Sequence, residues 1–221
     1  MRRSVSLEEI SDGRLYRNND MVKADCHGCI GCHKCCTGMG NSVLLDPYDV
    51  YRLQQGLGKN LSRLLAEEKV ELSVTDGVIL PNMRMAGEEE RCACLDGDGR
   101  CSIHAYRPGV CRLFPLGRIY ENGDFKYFLQ TGECRENGRS KVKVSRWIDT
   151  PDQGRNHDFI CQWHSLISDL EDKLSGAEDL EESKRLNLLM LQTFYMEAYE
   201  VRQDFYEQFE ERLARWREKG A

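Results

Sequence analysis

Residues 26–40 read Cys26-His27-Gly28-Cys29-Ile30-Gly31-Cys32-His33-Lys34-Cys35-Cys36-Thr37-Gly38-Met39-Gly40. Five of the chain's 11 cysteines (Cys26, Cys29, Cys32, Cys35 and Cys36) fall in this one stretch. Cysteines three apart in a tight turn can aim both sulfurs at one point. Glycines between them, here Gly28 and Gly31, accept positive φ and leave backbone N–H groups free to bond the sulfurs. Repeating the spacing wraps the chain around a centre, so the stretch predicts a domain organised by metal ligation more than by long regular elements.

Cys26, Cys29, Cys32 and Cys36 satisfy the C-x2-C-x2-C-x3-C spacing of ferredoxin loops. Thr37 stands where those loops carry proline, and the run has no second copy. A plain ferredoxin is therefore not expected. Cys32-His33-Lys34-Cys35 has the spacing of a thioredoxin-type redox pair but lacks its βαβ surroundings. The radical-SAM spacing C-x3-C-x2-C starts at Cys32 and Cys36 and fails at Met39.

A second group follows: Cys92-Ala93-Cys94, then Cys101, Arg107-Pro108, Cys111-Arg112 and Phe114-Pro115. Together the two groups resemble the YkgJ family of cysteine-cluster proteins, iron- or zinc-chelating domains with a C-x2-C-x2-CC run and a downstream C-x6-C, RP and CR-x-FP element. The run here is Cys29, Cys32, Cys35 and Cys36, and the resemblance covers roughly Cys26 to Cys134. That family is in turn similar to flagellin lysine-N-methylases, which carry an iron-sulfur cluster. The resemblance thus implies a metal cofactor and raises a protein-lysine N-methylase as one reading.

Cys29, Cys32, Cys35, Cys36, Cys94, Cys101, Cys111 and Cys134 make eight candidate ligands, enough for two four-thiolate centres or for one cluster beside a zinc. Cys26, outside the core run, and Cys92 and Cys161 are further candidates. Cys35 and Cys36 are adjacent, and their diverging side chains suit two different metal atoms better than one. The expected cofactor is an iron-sulfur cluster of the 4Fe-4S type, with zinc as an alternative or a second site. Arg107, Arg112, His33 and Lys34 are placed to offset thiolate charge. His27, His33 and His104 are read as supporting groups, because thiols already suffice.

Composition narrows the class. The net charge of −6 and pI near 5.5 withhold the electrostatic attraction on which non-specific nucleic-acid binding rests. Met1 to Ile10 contain no apolar leader core, and no apolar run approaches the ~18 residues of a membrane span. Expected, then, is a cytoplasmic protein without a nucleic-acid or membrane partner, its thiols kept reduced.

The fold class expected is α+β: an irregular cysteine-rich domain of short helices and antiparallel hairpins over residues 1–164, followed by an α-helical region over 165–221. Asp46-Pro47 predicts a helix through Tyr51 and Leu53 ended by Gly56 and Gly58. Leu61, Leu64 and Leu65 predict a second. Asp76-Gly77 and Glu121-Asn122-Gly123-Asp124 predict two hairpins, and Lys141 to Ile148 a strand. Cys161 and Trp163 read as helical, and His157 and His164 as surface residues. Beyond them, Leu186, Leu189, Met190, Thr193, Phe194 and Met196, then Phe205, Phe209, Leu213 and Trp216, form apolar stripes on one long or two consecutive helices, since neither Gly nor Pro interrupts residues 178–219. These stripes are expected to pack on the first region, with docking of a protein partner as the alternative.

Overall fold

The computed structural model describes residues 6–26, 32–134, 138–176 and 179–220. In chain order it contains α1 (Leu7–Ile10), β1 (Ser11–Tyr16), β2 (Met21–Asp25), α2 (Pro47–Leu57), α3 (Leu61–Ala66), β3 (Val70–Thr75), β4 (Val78–Met83), β5 (Met85–Ala86) and β6 (Arg91–Cys92). Then come α4 (Gly109–Leu113), β7 (Leu116–Glu121), β8 (Asp124–Gln130), β9 (Ser140–Lys143), α5 (Val144–Ile148), α6 (Gln153–Ser175), α7 (Leu180–Leu191), a π-helical turn over Gln192–Met196, and α8 (Phe205–Gly220). Helix makes up 45% and strand 24%, with hairpins in the first half and long helices in the second, which is the α+β class expected.

Helix α2 forms where its caps demand it. Asp46 accepts the Asp49 N–H at 2.8 Å, and Asp49 returns the bond by accepting the Asp46 N–H at 3.1 Å. Pro47 occupies the first helical position, and Gly58, at φ 65°, closes the helix. Gly56 does not end it, contrary to expectation. The Tyr106 ring lies where its side chain would be, 2.2 Å from an ideal Cβ, so Gly56 serves close packing.

Both expected hairpins form in register, Thr75 opposite Val78 and Glu121 opposite Asp124. Asp76 and Gly77, like Asn122 and Gly123, all have positive φ, as tight hairpin turns require. Strand β8 also pairs with β1, giving an antiparallel sheet of order β1-β8-β7, and β2 pairs with β9. The strand expected over Lys141 to Ile148 stops at Lys143, and Val144–Ile148 is the helix α5. Two contacts hold that helix in place: Trp147 donates its indole N–H to the Leu113 and Phe114 carbonyls at 3.3 and 3.2 Å, and Val144 is fully buried.

Helix α6 runs without interruption through residues 164 and 165. Its Phe159 packs edge-on against Phe205 and Phe209 of α8 at 5.1 and 4.7 Å, and one core joins residues from both halves. Leu186, Met190, Phe194, Phe205, Phe209 and Leu213 are buried, as their spacing predicts, whereas Met196 is exposed. Between α7 and α8 the chain breaks without glycine or proline. Arg212 donates to the carbonyls of Thr193, Glu197 and Ala198 at 3.1, 2.7 and 3.0 Å. Gln208 bonds both the N–H and the carbonyl of Glu200. Side chains of α8 thus satisfy backbone groups that a continuous helix would have paired.

Candidate metal centre

Three chain segments deliver thiols to one place. Cys35 and Cys36 sit in a 3-10 turn over Lys34–Cys36, closed by the Cys36 N–H on the His33 carbonyl at 2.9 Å. Thr37 bridges Arg91, and the Gly38 N–H reaches the Glu90 carbonyl at 3.0 Å, which sets the turn against β6 and Cys92. A tight loop holds Cys94 and Cys101 together. Ser102 donates its N–H and its hydroxyl to the Cys94 carbonyl, and Asp96 accepts the N–H groups of Asp98 and Arg100 at 3.0 and 2.8 Å. Gly99 is at φ 72° with His33 Nδ1 only 3.0 Å from where a Cβ would stand, so the loop and the first thiol turn are in contact.

The third segment is α4, which carries Cys111. The Gly109 N–H at its start donates to Asp49 Oδ1 at 2.6 Å. Arg112, buried, donates Nε–H to the Ile148 carbonyl at 2.9 Å and fixes the other side of the turn. A 3-10 turn over His104–Tyr106 joins Cys101 to this helix, and Arg107 folds back to bond the His104 carbonyl at 2.9 Å.

Electrostatics tie these thiols into one group. Cys35 is held down to about 7, mainly by a hydrogen bond from Cys36, and also feels Arg107 and Cys92. The Cys36 thiol, donor of that bond, is pushed up, with Cys111 and Cys92 among its neighbours. Cys92 is held down to about 6 by a hydrogen bond from Cys94, helped by Lys69, while Cys94 is pushed up and feels Cys101. Burial raises Cys101, and raises Cys111 further, with Asp49, Cys35, Cys92 and Cys101 adding to the effect on Cys111. Six sulfurs (Cys35, Cys36, Cys92, Cys94, Cys101 and Cys111) therefore share one field, with Arg107 and Lys69 as its cations. A set of thiolates this soft and this dense fits zinc or iron, and not calcium or magnesium.

Residues 28–136 match the model of the CxxCxxCC family, described as "Putative zinc- or iron-chelating domain". This segment resembles a CxxCxxCC domain. No curated protein and no solved structure matches the chain.

The CxxCxxCC domain brings together five of the eight ligands expected from sequence, Cys35, Cys36, Cys94, Cys101 and Cys111, and adds Cys92. Cys29, with His27, Gly28, Ile30 and Gly31, lies outside the described residues. Cys32 is half-buried just before the thiol turn, Cys134 is half-buried beyond β8, and Cys26 is buried beyond β2. Cys161 has a different set of neighbours, Asp124 and His157, on α6 and the β7-β8 turn.

Charge compensation differs in detail from expectation. Arg107 faces the thiols as expected, but Arg112 is spent on the Ile148 carbonyl, and Lys34 and His33 are exposed. His104 Nδ1 lies 3.3 Å from Arg107, and its ring is exposed. Lys69 was not anticipated: its Nζ donates to the Ala93 carbonyl at 2.6 Å, which sets the charge between Cys92 and Cys94. Nothing near Lys69 in sequence announces this. Asp49 was legible only as a residue of α2, and its second bond, to Gly109, comes from tertiary packing.

Proposed function

We propose that the CxxCxxCC domain holds an iron-sulfur cluster, with ligands drawn from Cys35, Cys36, Cys92, Cys94, Cys101 and Cys111 and with Cys29, Cys32 and Cys134 as further candidates. The observation that carries this reading is the convergence of six thiols from three segments, two more than a single zinc takes.

Such a cluster supplies one-electron transfer. The chain's own part is to keep the thiols together and charge-balanced. Arg107 and Lys69 lower the cost of gathering thiolates, and the Asp49 to Gly109 bond fixes the approach of Cys111. Thiolate ligands have to stay reduced to hold metal, which supports residence in a reducing, cytoplasmic setting. Among the described residues no helix is long and apolar enough to cross a membrane.

Zinc is the second reading. The Cys35–Cys36 and Cys92–Cys94 pairs are already close enough for hydrogen bonds, as two ligands of one ion must be. Anaerobic purification with iron, acid-labile sulfide and zinc counted on the same sample separates the two. About four iron and four sulfide per chain are expected for one cubane cluster. Zinc alone, with no sulfide after anaerobic reconstitution, overturns the cluster and leaves a structural zinc domain.

A further inference from the structure

Away from the six thiols, α6 turns a second set of metal-binding atoms toward the β7-β8 turn. His157 and Cys161 are four residues apart, so they share one helix face. Asp124, the first residue of β8, meets that face: one ligand atom from each of Asp124, His157 and Cys161 lies within 4.8 Å of the other two. Donor by donor the geometry is specific. His157 Nε2 lies 2.9 Å from Asp124 Oδ1, and its other nitrogen, Nδ1, lies 3.6 Å from Asp158 Oδ1. The Phe125 ring stacks on the imidazole at 4.6 Å and limits its rotation.

We propose that Asp124, His157 and Cys161 form a separate site for a divalent transition ion, with zinc as the probe of choice. Imidazole, thiolate and carboxylate are the three zinc donor types, and the thiolate argues against magnesium or calcium. His157 Nε2 already meets Asp124 Oδ1 at 2.9 Å, so imidazole and carboxylate converge as two donors to one ion would, with the Phe125 ring holding the imidazole in place. Asp124 is exposed while His157 and Cys161 are half-buried, so an ion can enter from solvent and leave one coordination position to water. A carboxylate and a thiolate offset the ion's two charges. The proposal is independent of which metal the CxxCxxCC domain holds.

The test uses the full chain as purified, with its primary centre loaded. Zinc is added in small excess, unbound ion is removed, and zinc, iron and sulfide are counted for the wild type, Cys161→Ala and Asp124→Asn. In parallel, Cys161 alkylation by iodoacetamide is followed at the peptide level with and without zinc. The wild type is expected to hold one zinc more than either variant, with iron and sulfide unchanged among the three. Zinc is expected to slow Cys161 alkylation at least about tenfold in the wild type, and much less in Asp124→Asn. Equal zinc in all three proteins, or alkylation indifferent to zinc, overturns the second site. Loss of iron or sulfide in Cys161→Ala also overturns it, by moving Cys161 into the primary centre.

Discussion

The Asp49 carboxylate takes the Gly109 N–H at 2.6 Å while the same side chain closes the capping box of α2, so one buried residue begins two helices. The second of them carries Cys111. Replacing Asp49 by Ala removes an acceptor from two half-buried backbone donors and is expected to cost about 1–3 kcal/mol. Urea unfolding reads that loss, and a parallel metal count is expected to fall because Cys111 loses its anchor. An Asp49→Ala protein as stable as the wild type would remove this bridge from the account.

Asp46, at the other end of that capping box, gives a pH dependence of unusual sign. Burial pushes its carboxyl up to about 6. Because the folded value lies above the unfolded one, near ~3.9, the contribution to stability is complete below pH ~4 and is lost as pH rises through about 6. Acidification from pH 7 to 5 should therefore strengthen this part of the fold. Asn is an equally good N-cap that does not titrate, so Asp46→Asn is expected to flatten the urea midpoint between pH 5 and 7 by the equivalent of about 1–2 kcal/mol. A wild-type slope that the substitution leaves unchanged counts against it.

Cysteine substitutions separate ligands from bystanders. Cys94→Ser and Cys111→Ser are expected to lose most bound metal and to lower thermal stability, since metal binding and folding are coupled in a loop-rich centre. Full metal content in either variant strikes that residue from the ligand set.

Arg212 is 3% exposed, its guanidinium bonds three carbonyls and it lies 3.6 Å from the centre of the Tyr199 ring. Arg212→Met keeps much of the apolar stem but leaves those carbonyls without partners, at a cost on the order of 3 kcal/mol. Denaturant unfolding of the variant checks the figure. Metal affinity per folded chain is expected to stay unchanged.

Local chemistry was legible in the sequence. Asp46-Pro47 specified α2, and Asp76-Gly77 and Asn122-Gly123 specified hairpins whose residues do take positive φ. The cysteine spacing pointed to a metal-chelating domain, and five of the eight cysteines it singled out lie on segments that pack together. What escaped was fixed by partners distant in sequence. Strand β1 is buried only at its two ends and pairs with β8, more than a hundred residues on, so no alternation marks it. The break before α8 has no glycine or proline because Arg212 and Gln208, both beyond it, supply the missing bonds. Lys69 joins the centre through a backbone carbonyl, which leaves no mark on the surrounding sequence.

The Tyr195 hydroxyl donates to the Leu45 carbonyl at 2.8 Å, just before the helix that carries Asp49. That bond spans 150 residues, which a ribosome takes roughly 8–30 s to add. During this interval the remaining cysteines are added one after another, while Tyr199 and Phe205, whose rings pack on Tyr51 of α2 at 6.1 and 5.3 Å, do not yet exist. Insertion of metal into a finished scaffold is thus an event after translation, and the nascent thiols depend on their surroundings to stay reduced until the last helix arrives.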